Sequence, residues 1–342
     1  MGKVPVRHAG NDIRGVAPSP GWDARYDWQG WLPSGETPED DGGSGWVATA
    51  NQRVTAPGYA HYLAQDWVVP YRHDRIAQLI EAMPRHDMAS MQAIQADTLS
   101  LATLRLLPHL RKAAPQHPLA GAVQALLRDF DGVMDADLVA PLVFAVWTDE
   151  LAKGVIAPRV GEDRFKATYG KRDYRAALEG ILERDDAWWC QPLSCADQSA
   201  AALARALDRL QAAYGADPAR WRWGDAHPAL SSHRPLGNVA LLAPYFDVSV
   251  TSPGDAYTVN VGQYNAGDAK GPFVNRHAAS LRVVYDLADL ENSKFIYQTG
   301  QSGLVFSPRY RDKHATWAQA GYRHLQREPA RMRHDLRLVP AP

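Results

Sequence analysis

Little in this chain points to a membrane, a nucleic acid or a metal cluster. No apolar run approaches the roughly 18 residues that a membrane-spanning helix needs. The 37 Lys and Arg residues stand against 38 Asp and Glu. That balance excludes a basic footprint for nucleic acid or for an anionic membrane surface. There are two cysteines, in the run Cys190-Gln191-Pro192-Leu193-Ser194-Cys195. A metal site would need further ligands at matching spacing, and none is adjacent. The pair is either a short-loop disulfide of an oxidising compartment or two reduced structural thiols. No phosphate-binding glycine loop, HExxH zinc motif or CxxC pair occurs. Gln301-Ser302-Gly303 fails the G-x-S-x-G spacing of a nucleophile elbow and reads as a tight turn. Met1-Gly2-Lys3-Val4-Pro5 lacks the apolar segment of a signal peptide. In the tail of a longer precursor, that absence would say nothing about export.

What is present suffices for a sizeable core. Hydrophobic residues make up 46% of 342, enough for one large domain or two ordinary ones. Residues 1–60 are extended and loop-rich, punctuated by Pro5, Pro18, Pro20, Pro33 and Pro38. Asp40-Asp41-Gly42-Gly43-Ser44-Gly45 is a strong turn cluster. The run Trp46-Val47-Ala48-Thr49-Ala50 then predicts a short buried strand that delivers Asn51 at its end. From about 72 to 225 the period is helical. Ile76, Leu79, Ile80 and Met83 mark one buried stripe, and Asp74 sits near that helix's start, where a carboxylate suits the dipole. In 196–214, Leu203, Leu207, Leu210 and Tyr214 share a face and Gly215 follows as a C-terminal cap. Pro108 and Pro118 are expected to break the earlier helices.

The last third switches to strand chemistry. Tyr257–Val261, Leu281–Tyr285 and Lys294–Tyr297 are rich in β-branched and aromatic residues, separated by Gly/Asp/Asn turns. The class expected is α+β. Residues 1–70 and 230–342 form sheet, and 71–229 form a mostly helical insertion. The tail after Arg327 is basic and Pro-containing, a peripheral strand or loose end.

Several segments, in order, carry a resemblance. Tyr26-Asp27-Trp28-Gln29-Gly30-Trp31-Leu32-Pro33 leads into Gly45-Trp46-Val47-Ala48-Thr49-Ala50-Asn51-Gln52-Arg53-Val54. Asp66-Trp67-Val68-Val69-Pro70-Tyr71-Arg72-His73-Asp74-Arg75-Ile76 follows, then Phe130-Asp131-Gly132 and Trp147. Trp223-Gly224-Asp225-Ala226-His227 comes next, then Gly254-Asp255 with Thr258-Val259-Asn260. Thr299-Gly300-Gln301-Ser302-Gly303, Ser307-Pro308 and Trp317 close the series. Each piece is weak alone; their order over nearly the whole chain is specific. Together they resemble the C-terminal portion of the large subunit of penicillin acylases, N-terminal-nucleophile (Ntn) hydrolases. The resemblance implies part of an αββα sandwich with a large helical insertion.

It also implies a chemistry. In such enzymes a self-cut precursor exposes a serine whose own α-amino group acts as base, often through a water. That amine titrates near 8, so it can be neutral at working pH. The serine forms an acyl-enzyme that water then releases. Substrates of the family are N-acyl amides: β-lactams with acyl side chains, acyl-homoserine lactones, acylated peptides. Asn51 falls where the family keeps its oxyanion-hole asparagine; the alternative is a strand-end or turn asparagine. Arg75 falls where the family keeps an arginine near the nucleophile's amine and the substrate. A fixed cation there would lower the amine's pKa and orient a carboxylate; the alternative is an ion pair with Asp74. Asp66 lies in a stretch that contributes one carboxylate to a calcium site, the other ligands falling before Met1. One aspartate is far short of the six to eight oxygens calcium takes, so a surface loop or helix cap is its alternative. The family uses no organic cofactor, and its usual export favours the disulfide and a periplasmic or secreted location.

The family's nucleophilic serine is not found. Gly43-Ser44-Gly45 resembles a cleavage junction superficially, but Ser44 matches the loop before the asparagine run, and the junction usually reads Ser-Asn. His227 is expected to pack or hydrogen-bond rather than catalyse. The partners implied are the small subunit, the N-terminal part of the large subunit and an amide substrate, with no nucleic acid and no membrane. The chain alone is expected to be inactive. A non-catalytic remnant or binding module of the same family is the alternative.

Overall fold

The computed structural model describes residues 3–170, 174–327 and 336–340. Most of the basic tail after Arg327 lies outside them. The chain divides into two compact units, Met1–Pro70 and Tyr71–Pro342.

In the first unit β1 (Pro5–Arg7) pairs antiparallel with β2 (Trp28–Trp31), with Pro5 opposite Trp31 and Val6 opposite Gly30. Trp28 and Trp31 meet edge to face at 5.5 Å. The Arg7 and Arg14 guanidinium groups stack 5.6 and 5.2 Å from the Tyr62 ring. The strand expected at 46–50 is not formed; these residues are irregular backbone and Val47 is exposed. A strand needs a neighbour for its N–H and C=O groups. Here the Ala50 N–H donates instead to the Gln52 Oε1 at 2.7 Å, and the chain bends at Asn51.

The second unit begins with the helical region. Its first helices are α1 (Tyr71–Glu81), α2 (Met88–Ala96), α3 (Leu101–Leu110) and α4 (Ala120–Arg128). Then come α5 (Ala140–Val160), α6 (Glu162–Thr168), α7 (Tyr174–Glu183), α8 (Ala187–Cys190) and α9 (Cys195–Tyr214). Helix α5 is apolar around most of its circumference, and its residues from Ala140 to Asp149 are all buried. Such a helix belongs at the centre of a core. It packs against the Leu203–Leu207–Leu210 face of α9, as the spacing predicts, and the Trp147 Nε1–H donates to the Ser199 carbonyl at 2.8 Å. Gly215 ends α9 at φ +89°, its N–H donating to the Gln211 carbonyl.

Two helix expectations differ. Pro108 lies inside α3 rather than ending it, on an exposed position two residues before the helix stops. It forfeits one backbone bond in the last turn, which the Arg111 N–H still closes onto the Leu107 carbonyl at 3.0 Å. The stripe Ile76, Leu79, Ile80 is only half-buried, and Met83 lies beyond α1, exposed. The helix is anchored instead at its first residue. The buried Tyr71 hydroxyl donates to the Glu179 Oε2 on α7 at 2.6 Å and accepts from the Arg105 Nη1 on α3 at 3.0 Å.

Cys190 and Cys195 are bridged, their Cα atoms 5.0 Å apart, which ties α8 to the start of α9. Spacing left both redox states open; the turn between α8 and α9 brings the two Cα atoms within bridging range, and the pair is joined.

After α10 (Trp223–Ala226), strands dominate. β3 (Pro228–Ser231) pairs with β4 (Val248–Thr251), with α11 (Ala243–Phe246) between them in sequence. β5 (Gly262–Gln263) pairs with β6 (His277–Ala278). β7 (Leu281–Val284) and β8 (Lys294–Tyr297), both expected as strands, pair antiparallel, with β9 (Arg323–His324) on the far edge of β8. A second small core of Ala229, Ile296 and Trp317 lies here, Trp317 being in α12 (His314–Ala318). The strand expected at 257–261 is a turn. Asp255 accepts from the Tyr257 N–H at 2.7 Å, and the Thr258 hydroxyl donates to the Asn260 carbonyl at 2.9 Å. Such local side-chain bonds compete with ladder pairing.

Candidate active-site residues

Asn51 sits on an exposed bend of the first unit at φ +67°. This left-handed conformation strains most L-residues; asparagine tolerates it well. The Asn51 carbonyl accepts from the Val68 N–H at 3.2 Å, which pins the bend to the segment after Asp66. The local fold thus presents a primary amide at the surface on a backbone held from both sides. An amide N–H is a neutral donor, the kind that suits a developing alkoxide.

Asp66 is exposed in an irregular stretch of the same unit. Among the described residues no group of three or more His, Cys, Asp or Glu side chains is arranged to hold a metal. The described residues therefore do not by themselves fit a calcium ion. Ser44 is exposed, and its hydroxyl donates to the Trp46 carbonyl at 2.9 Å. That bond closes a small turn and supplies no base.

Arg75 belongs to the second unit, in the first half of α1. Its Nε and Nη2 donate to the two Asp97 oxygens at 3.0 and 2.7 Å, a bidentate fork. The partner is thus Asp97, at the end of α2, and not the neighbouring Asp74, which meets His73 instead. Both members of the pair are largely buried, and the Asp97 carboxylate raises the pKa of an already permanent cation. Nη1 reaches the Gln78 Oε1 only at 3.4 Å. The fork fixes the guanidinium plane, and the Nη1 edge retains donor capacity.

His227 is fully buried and stacked on Trp223, ring centroids 4.3 Å apart. Its Nδ1–H donates to the Phe273 carbonyl at 2.6 Å, and burial pushes its pKa down to about 4. It is a neutral packing histidine, as its motif suggested. A Cβ on Gly262 would lie 2.5 Å from its Nε2, so the glycine is required by close approach. Gln301-Ser302-Gly303 is a turn: the Ser302 N–H donates to the Arg309 carbonyl and its hydroxyl accepts from the Leu304 N–H.

The penicillin amidase family model matches residues 1–334. The chain belongs to the penicillin amidase family. It is 29% identical over 348 residues to acyl-homoserine lactone acylase QuiP of Pseudomonas syringae pv. tomato, covering 94% of this chain and 41% of that protein. It is 30% identical over 328 residues to penicillin acylase 2 proenzyme of Pseudomonas sp., covering 92% and 40%. The solved structure of a thermostable penicillin G acylase from Alcaligenes faecalis superposes with a TM-score of 0.63 at 19% identity, over 99% of this chain and 65% of that one. The mixed helix-and-sheet fold is therefore that of penicillin G acylase. This member of the penicillin amidase family spans about two-fifths of the length of the curated relatives it matches. No helix among its described residues is long and apolar enough to cross a membrane.

Proposed function

We propose that this chain is the later part of an acylase that cleaves N-acyl amide bonds, with acyl-homoserine lactones and acylated β-lactams as its substrate class. The observation that carries this reading is the family match across residues 1–334, within which Asn51 falls on a held, exposed bend. The attacking serine comes from a segment outside these residues. Its Oγ bonds to the amide carbonyl carbon while its proton passes, through the serine's own amine, to the departing nitrogen. Asn51 donates to the resulting oxyanion. Water then attacks the ester and releases the acid. Arg75, its plane fixed and its charge balanced by Asp97, receives a substrate carboxylate on the donors of Nη1. The small subunit and the N-terminal part of the large subunit are the partners. A calcium ion completed by oxygens from those partners, with Asp66 as one ligand, belongs to the same reading. The Cys190–Cys195 bridge supports a periplasmic or exported setting.

The decisive experiment is co-expression with the upstream coding segment, followed by hydrolysis assays on a panel of N-acyl homoserine lactones and a chromogenic phenylacetyl anilide. Activity in the assembly and none in the chain alone is the expected result. Ser44-dependent hydrolysis by the purified chain would overturn the external nucleophile. An inert assembly would favour the non-catalytic remnant.

A further inference from the structure

The strand-rich part of the second unit holds a cleft of about 430 Å³. That is within the size range of small-molecule sites. Its wall is formed by the end of β3, the approach to β7 and the end of β8, through Ser231, Arg234, Arg276, Ser280, Tyr297 and Gln298 among others. The lining carries two guanidinium groups, a set of hydroxyls and no carboxylate. Arg276 is paired from outside the lining, Nη2 to the Asp268 Oδ2 at 2.9 Å. Arg234 has no carboxylate partner among the described residues. The group of Arg234, Arg276 and Asp268 thus carries one net positive charge.

The polar part of the wall is held in place. The Gln298 N–H donates to the Ser280 carbonyl at 3.2 Å, and its side-chain Nε2 donates to the Ser231 Oγ at 2.8 Å. Because Ser231 accepts that bond, its own proton is available to a ligand, and so is the Gln298 carbonyl oxygen. One cationic fork beside a neighbouring donor and acceptor matches a carboxylate attached to an amide. Arginine's planar donors suit the carboxylate bidentately, while Ser231 and Gln298 suit the amide's C=O and N–H.

We propose that this cleft binds a small monoanion bearing both a carboxylate and an amide, gripped by Arg234 and oriented by Ser231 and Gln298. Occupancy of the cleft requires no amidase chemistry, so it can succeed or fail separately from the acylase reading. The probe is N-acetylglycine, titrated calorimetrically into the 342-residue chain at constant ionic strength. N-Acetylglycinamide, which lacks the charge, and acetate, which lacks the amide, serve as comparisons. Saturable binding of N-acetylglycine is expected, with both comparisons weaker. Arg234→Gln should weaken it about tenfold or more, the cost of a charge-assisted hydrogen bond. Ser280→Glu, which puts a carboxylate of the ligand's own sign into the wall and competes for the guanidinium donors, should abolish it. Arg25→Gln, which is not a lining residue and sits in an exposed pair with Asp23, should leave it unchanged. Circular dichroism checks that each variant is folded. Equal affinity for the neutral amide, equal affinity for inorganic phosphate, or binding indifferent to both Arg234→Gln and Ser280→Glu would overturn the proposal.

Discussion

The helical body of the second unit and the first unit solve the same problem in opposite ways. Around α5 and α9 the large apolar side chains are inside: Trp221 and Trp223 are 0% exposed, and each indole N–H finds a backbone carbonyl. In the first unit, Asn11 and Ala50 are the buried members among the described residues, while Trp22 is 91% exposed and Trp28 and Val47 are exposed as well. Both regions carry tryptophan, so composition does not separate them. Helices satisfy their backbone locally and need only one face covered. Short strands and bends need a neighbour for every backbone group. The family's candidate donor, Asn51, thus stands in a region with little core of its own, and the stability of the whole should be nearly blind to it.

That contrast can be tested first where it is strongest. Trp223→Ala removes a buried indole that packs on His227, Tyr264 and Phe273. It should cost about 3–5 kcal/mol, read by denaturant unfolding. Trp22→Ala should stay within about 0.5 kcal/mol, and a comparable loss from both would break the comparison.

Asn51→Gly is next. Glycine accepts the φ of +67°, so the change deletes the amide without adding strain. In the assembled enzyme turnover should fall about a hundred- to a thousand-fold, with KM and melting temperature little altered. A defect in KM alone would argue against an oxyanion role.

A smaller effect is the pH dependence contributed by His227. Its folded pKa, about 4, lies below the unfolded value of 6.5, so between them the unfolded chain binds the extra proton. Its stabilisation is complete above pH 6.5 and is lost as pH falls toward about 4, a change of about 3 kcal/mol. The burial of Asp255 raises that carboxyl's pKa and acts in the opposite sense. The readout is therefore the difference in pH slope between the native chain and His227→Gln. Parallel slopes would show that His227 does not titrate with unfolding.

Last, replacing Cys190 and Cys195 by serine opens a loop of six residues from end to end. The chain-entropy relation gives a loss of about 2 kcal/mol, confined to the helical body. Comparison of thermal unfolding with and without reductant checks it; reductant should shift the native chain and leave the double variant unmoved.

Much of the helical body was legible beforehand. The 3.6-residue period of 196–214 identified the face that α9 buries, and Gly215 marked its end, because such signals depend on neighbours a few residues away. Two apolar runs misled for one shared reason. Residues 46–50 and 257–261 have strand composition, but composition says nothing about whether a pairing edge is beside them. The second is also captured by Asp255 and Thr258 side chains. At the site, His227 was legible as a packing residue. The partner of Arg75 was not: Asp97 lies 22 residues on, at a spacing no local pattern encodes. The cleft residues were missed likewise, since Ser231 ends β3, Arg276 precedes β6 and Gln298 follows β8, three segments far apart in the sequence.

By itself, then, the amino-acid order determined the family, the helical periodicity and the identity of the candidate residues Asn51, Arg75 and Asp66, since motif order and side-chain period are written along one dimension. Only the tertiary structure decided that Arg75 is locked by Asp97, that Cys190 and Cys195 are joined, that His227 is kept neutral, and that Arg234 and Arg276 line one cleft. Each of those outcomes depends on which groups share a low-dielectric neighbourhood or a wall in space, and packing alone sets that.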